Sequence, residues 1–165
     1  MQTIYDLTLD QMTVMLKELG QKPYRAKQLY TWLYRKRAED FSEMTDLPAS
    51  LIETLKERYC IMPVKLLEKQ TAKDGTAKYL FELQDGSTIE TVLMHFVFGE
   101  SVCVSTEVGC SMGCAFCASG LLKKQRNLTA GEITGEIMYI QKELDAEEKR
   151  VDNVVLMGTG EPFDN

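Results

Sequence analysis

The stretch from Ser101 to Pro162 constrains the fold most, because it reads in a fixed order. Ser101–Glu107 is strand-like and runs straight into the loop Val108–Gly120, which holds Cys110, Cys114 and Cys117. Thr129-x-x-Glu132 then forms a capping box. Ile133, Ile137, Ile140 and Leu144 recur on one face of the helix that follows, predicted to run to about Glu148. Asn153–Met157 reads as a buried strand ending in Gly158-Thr159-Gly160-Glu161-Pro162. Strand, loop, helix, strand and loop make a βαβ unit, with both special loops at strand C-termini, where parallel α/β folds place their chemistry. One such unit cannot close a barrel or cover both faces of a parallel sheet. The sequence therefore predicts an N-terminal portion of a longer enzyme.

The residues before it divide in two. Met12, Met15, Leu16 and Leu19 fall at helical spacing before Gly20, and Ala26, Leu29, Tyr30, Leu33 and Tyr34 repeat the pattern. A third helix starts near Asp46-Leu47-Pro48 and buries Leu51, Ile52, Leu55 and Tyr59. Val64–Gln70, Thr76–Leu83 and Thr88–Phe96 are strand-like, with Asp74-Gly75 and Asp85-Gly86 as turns. The expected class is α/β: a helical module over 1–62, a β-meander over 63–100, and the start of a catalytic domain over 101–165.

With 44% apolar and 27% charged residues, the chain can bury a core. It has no apolar run of eighteen residues and no basic-then-apolar leader, so a cytoplasmic protein without membrane contact is expected. Five cysteines in such a setting point to metal or redox chemistry rather than disulfides. The net charge of −6 argues against a general nucleic-acid binder, but it is uneven. Residues 1–60 balance nine Lys/Arg against nine Asp/Glu, and include the basic groups Lys22/Arg25/Lys27 and Arg35/Lys36/Arg37.

Cys110, Cys114 and Cys117 are spaced C-x3-C-x2-C beside Gly109, Gly113 and Gly120, which is unlike the scatter of small buried hydrophobes. A structural zinc site needs four ligands, and only Cys60, Cys103, His95 or a carboxylate could supply the fourth. A 4Fe–4S cluster is the other reading. Three thiolates hold it and leave one iron open to a small molecule.

With an aromatic residue, Phe116, before its last cysteine, the motif resembles the signature of radical S-adenosylmethionine (SAM) enzymes. The resemblance implies that Cys110, Cys114 and Cys117 hold a 4Fe–4S cluster whose open iron chelates SAM. It implies that the segment carrying Gly160 and Glu161 contacts the SAM methionine, and that the fold is a partial (β/α)6 TIM-like barrel. Further stretches resemble the RlmN/Cfr type, which methylates adenine carbons in RNA: Pro23–Leu29, Phe41–Pro48, Ile89–Val92, Cys103–Cys110 and Arg126–Thr129. In that family a methyl group placed on a late cysteine is activated and added to the adenine. Cys103 matches the cysteine that releases the protein–RNA adduct, and Glu90 matches the proton acceptor. A carboxylate in that role is expected to sit in an apolar pocket that raises its pKa.

The chain departs from the pattern at Thr159, where the family usually has methionine, and it has no counterpart of the methyl-carrying cysteine. The chain alone is therefore expected not to methylate RNA. The Gly160–Asn165 ending and the Glu43–Pro48 run are more like RlmN than like the C8-methylating Cfr type. That implies 23S rRNA and tRNA as partners, adenine C2 as target, a flavodoxin or ferredoxin as electron donor, and a monomer. Lys123, Lys124 and Arg126 are the local candidates for RNA contact, with Arg25 and Lys27 more remote. The alternatives are a Cfr-like enzyme or a zinc-stabilised RNA-binding module.

Overall fold

The computed structural model describes residues 1–165, which fall into two units, Met1–Pro63 and Val64–Asn165. In the first unit, β1 (Gln2–Thr3) precedes three helices: α1 (Leu9–Glu18), α2 (Tyr24–Tyr34) and α3 (Ala49–Arg58). Thr8 and Gln11 cap α1 reciprocally, and Gly20 ends it with φ +71°. Met12, Leu16, Ala26, Leu29, Leu33, Leu51 and Leu55 form the core, on the faces their spacing predicts.

Tyr59 is not on the helix face expected of it. It leaves α3 to form β2 (Tyr59–Cys60), which pairs in parallel with β1. Trp32 lies off the apolar stripe because its indole N–H donates to Asp46 Oδ1 at 2.6 Å. Gln28 donates to the same carboxylate at 3.1 Å, so Asp46 ties α2 to the turn before α3.

The second unit is built on one sheet in the order β3 (Val64–Thr71), β4 (Ala77–Leu83), β5 (Thr88–Phe96), β6 (Gly99–Cys103) and β9 (Val151–Val155). Every neighbouring pair is antiparallel except β6 and β9, which are parallel. Gly75 and Gly86 adopt φ +90° and +81° at the two tight turns. The side chains of Asp74 and Asp85 accept the amides of Thr76 and Ser87 there. Ala77, Tyr79, Phe81 and Leu83 alternate into the core, joined by Ile89, Thr91 and Leu93.

After β6 come β7 (Glu107–Val108), β8 (Arg126–Asn127) and α4 (Ala130–Asp145). β7 and β8 pair antiparallel and close the cysteine loop at its base. Helix α4 covers the Tyr79/Phe81 face, with Tyr139 edge-on to Phe81 at 4.9 Å. Its inner face is turned from the one the isoleucines predict. Glu132, Gly135, Glu136, Ile140 and Leu144 are buried, while Ile133 and Ile137 are only half-buried. The glutamates go inward because polar partners await them. Glu136 accepts from Thr91 and Ser105, and Glu132 pairs with Arg126.

β9 also differs from expectation. It begins two residues earlier than predicted and lies at the sheet edge, with Val154 exposed rather than buried. No helix of the chain is long and apolar enough to cross a membrane.

Candidate active site

The cysteine loop is shaped by Gly109. Its φ is +77°, and a Cβ there would stand 2.2 Å from the Lys123 carbonyl oxygen, so the two arms of the loop touch where only glycine fits. The Cys110 amide donates to Leu122 O at 3.0 Å, and the Gln125 amide to Val108 O at 2.8 Å. Within this closed loop Cys110 is half-buried, while Cys114 and Cys117 are exposed. The Cys117 thiol is held below its ordinary range by hydrogen bonds from the Ser119 hydroxyl, then from the Ser119 and Gly120 amides. Met112, Phe116 and Leu121 lie exposed in the same stretch of chain.

No three Cys, His, Asp or Glu side chains converge as ligands of a single ion would. Of the possible fourth zinc ligands, His95 is bound to Glu100 and to the Gly75 carbonyl, at the far end of β5 from Glu90. Cys103 sits in the sheet. In a 4Fe–4S cluster each cysteine binds a different iron, so its ligands stand apart rather than meeting at one point. A loop presenting three thiols, two of them open to solvent, fits that group.

The glycine loop lies directly against this one. Gly158 N–H donates to Val104 O at 3.0 Å, and Thr159 O accepts from the amides of Thr106 and Glu107 at 2.9 and 3.2 Å. A Cβ on Gly158 would lie 2.6 Å from Val104 O; one on Gly160, where φ is +112°, would lie 2.6 Å from Thr106 Oγ1. Thr159 is held by its backbone, through these bonds and its own N–H to Ser105 Oγ at 3.1 Å. Its departure from methionine therefore leaves the loop's hydrogen bonding intact. The Glu161 amide donates to Glu107 Oε2 at 3.3 Å, and its carboxylate accepts the Phe163 amide at 3.0 Å.

An ion-pair bridge fastens the two loops together. Glu107, fully buried, meets Lys124 Nζ at 2.5 Å, and the same ammonium reaches Asp164 Oδ2 at 2.7 Å. Ser111 Oγ adds a bond to Asp164 at 3.2 Å, and the Asn165 amide donates to Thr106 O at 2.7 Å.

Glu90 and Cys103 share the face of the sheet opposite α4. Cys103 pairs with Val92, and Glu90 lies two residues from Val92 on the same side. Burial pushes the Cys103 thiol up; the Met157 amide opposes this, and the carboxyl of Glu136 reinforces it. Glu90 does not occupy the apolar pocket its expected role suggested. It is half-exposed and faces Lys78 Nζ at 3.0 Å.

The basic candidates separate clearly. Lys124 is consumed by Glu107 and Asp164, and Arg126 by a two-pronged pair with Glu132 at 2.8 and 2.9 Å and by Asp85 at 2.6 Å. Arg25 is turned onto Gln28 and the Asp46 carbonyl. Lys123 and Lys27 are exposed. A cavity of about 410 Å³ lies on the α4 side of the sheet, lined by Lys69, Tyr79, His95 and Glu143, and includes none of the candidate site residues. Glu107, Asp164, Ser105 and Glu136 escaped sequence reasoning, since each gains its meaning from partners 15 or more residues away.

Fold and loops define a class before any individual relative does. The structure superposes on a radical SAM methyltransferase from Sphaerobacter thermophilus with a TM-score of 0.95. The sequences are 40% identical, and the match covers 100% of this chain and 49% of the other. Within that class the sequence likeness runs to RlmN. Residues 2–61 match the family model "Ribosomal RNA large subunit methyltransferase N-terminal domain". The chain is 53% identical to the "Probable dual-specificity RNA methyltransferase RlmN" of Streptococcus equi subsp. equi over 99% of its length and 46% of the relative. It is 55% identical to the protein of the same name in Geobacillus thermodenitrificans, over 99% of its length and 45% of the relative. The chain thus resembles the RlmN-type methyltransferases along its whole length, and it spans about half the length of the curated relatives it matches.

Proposed function

We propose that this chain carries the N-terminal helical unit and the cluster- and SAM-binding start of a radical SAM RNA adenine methyltransferase of the RlmN type. In this reading β6, α4 and β9 form the first βαβ unit of a partial (β/α)6 barrel. The observation that carries the proposal is the backbone seam in which Thr159 O accepts from Thr106 and Glu107, fixing the thiol loop against the glycine loop at the strand ends.

Cys110, Cys114 and Cys117 hold a 4Fe–4S cluster, and the Gly160–Glu161 segment receives the methionine end of SAM. A carboxylate there accepts from an ammonium, and glycine lets the backbone come close. When bound, the cluster and SAM supply the one-electron chemistry that an unreactive adenine carbon requires. The remaining steps belong to the protein. Cys103, on the sheet face opposite α4, attacks as thiolate the sulfur of the methyl-carrying cysteine. A disulfide forms as the S–CH2 bond of the protein–RNA adduct breaks, and the freed carbon takes up a proton to become the methyl group. Glu90 takes the proton from the ring carbon. Lys78 Nζ lies 3.0 Å from Glu90 Oε1 and fixes where that carboxyl points. Lys123 and Lys27 are the cations left open to RNA phosphates. A flavodoxin or ferredoxin is the class of protein that delivers the electron.

The test is mass spectrometry of 23S rRNA and tRNA nucleosides. The host lacks its own enzyme and is complemented with the full-length gene. The expected product is 2-methyladenosine in both RNAs, lost in the Cys110→Ala variant. Recovery of 8-methyladenosine would move the enzyme to the Cfr type, and no methyladenosine from a well-expressed protein would refute the proposal.

A further inference from the structure

The core of the second unit contains an acid that the reaction above does not use. Glu136 lies mid-way along α4 and is fully buried. Its Oε2 accepts from the Thr91 hydroxyl and, at 3.0 Å, from the Ser105 amide, while Oε1 has no partner. Ser105 passes the connection on. Its hydroxyl donates to the Glu90 carbonyl at 2.7 Å and accepts the Thr159 amide at 3.1 Å. Glu136 thus connects one strand and two adjoining segments: β5 through Thr91, the segment after β6 through Ser105, and, by way of the Ser105 hydroxyl, Glu90 and the glycine loop at Thr159.

We propose that Glu136 is a positioning residue that orients Ser105 and thereby fixes the spacing between the Glu90 strand, the Cys103 strand and the glycine loop. The Ser105 amide faces Glu136, while its hydroxyl is shared between the Glu90 carbonyl and the Thr159 amide, so Glu136 sets the side of Ser105 that those two bonds do not. Burial pushes the Glu136 carboxyl up to about 8, reinforced by Glu132 one turn earlier, so at neutral pH it carries a proton. A glutamine therefore reproduces its acceptor, and an apolar residue of similar size does not. The consequence for SAM rests on the function proposed above; the hydrogen-bond consequence does not.

Amide hydrogen exchange of the full-length protein, with iron content and SAM affinity measured alongside, tests this. In Glu136→Leu the Ser105 and Thr159 amides should exchange about tenfold faster. SAM should bind about tenfold more weakly, with iron and sulfide content unchanged. Glu136→Gln should restore both to within about twofold. Ser105→Ala should release the Thr159 amide while leaving residue 105's own amide protected, and it decides the matter if Glu136→Leu does not fold. Unchanged Thr159 protection in Ser105→Ala, or in a folded Glu136→Leu, overturns the proposal, as does a Glu136→Gln variant that behaves like Glu136→Leu. A parent protein that binds no SAM but shows this exchange pattern would contradict the functional reading alone.

Discussion

Gly109→Ala and Gly113→Ala separate conformational cost from steric cost within one loop. Both glycines have positive φ, +77° and +62°, so an alanine at either pays about 1–2 kcal/mol for the left-handed conformation. Around Gly113 nothing lies within 4 Å of the new methyl. Around Gly109 the methyl would stand 2.2 Å from the Lys123 carbonyl oxygen, against an ordinary contact of 3.4 Å or more. The arms of the loop must separate, which breaks the bonds from Cys110 N–H to Leu122 O and from Gln125 N–H to Val108 O. Each is worth about 0.5–1.5 kcal/mol, so Gly109→Ala should cost about 2–5 kcal/mol locally. That opens the loop roughly thirtyfold to several thousandfold more often, against about tenfold for Gly113→Ala. Amide exchange at Cys110 and Gln125 reads the opening directly, and iron retained after anaerobic reconstitution reads its consequence for the thiols. Gly109→Ala should lose both protection and iron, and Gly113→Ala should keep most of its iron. If the two variants exchange alike, the carbonyl contact does not shape the loop and the reasoning fails.

Glu136 predicts an unusual pH dependence. Its carboxyl rises from 4.5 to about 8 on folding, so the folded protein keeps a proton that the unfolded chain gives up across that interval. Stability should fall as pH rises through the window, by up to about 1.4 kcal/mol per unit, and urea denaturation should show that slope vanish in Glu136→Gln. Thiol chemistry should also be graded. In the metal-free protein iodoacetamide should modify Cys117 well before Cys103, because hydrogen bonds lower one thiol and burial raises the other. Equal labelling rates at pH 7 would contradict those environments. Thr129→Ala, which removes the reciprocal cap of α4, should destabilise the second unit by about 1 kcal/mol in the same urea experiment.

Much of the frame is legible in the residues because it rests on local rules. The β4 alternation, the two Asp-Gly turns and the Thr129/Glu132 cap each follow from spacing within a few positions, and the structure contains all of them. The failures share a cause. β1, β2, β7 and β8 are two residues long, too short to show a period. The inner face of α4 departs from the apolar stripe because Glu132 and Glu136 turn inward onto Arg126, Thr91 and Ser105, partners that lie outside the helix. Lys124 and Arg126 looked like open cations for the same reason, since sequence does not reveal that Glu107, Asp164, Asp85 and Glu132 surround them. The three thiols and the glycine loop stood out because unusual residue types crowd within a dozen positions. The seam that joins them needed coordinates.

Anaerobic reconstitution of this protein with iron and sulfide probes the cysteine loop most directly. The three-thiol reading requires about four iron and four sulfide per chain, a brown absorbing species, and an electron paramagnetic signal that shifts when SAM is added. Serine at any one of Cys110, Cys114 or Cys117 should abolish it. One tightly held zinc with no visible absorption, or a cluster that survives loss of all three thiols, would contradict it.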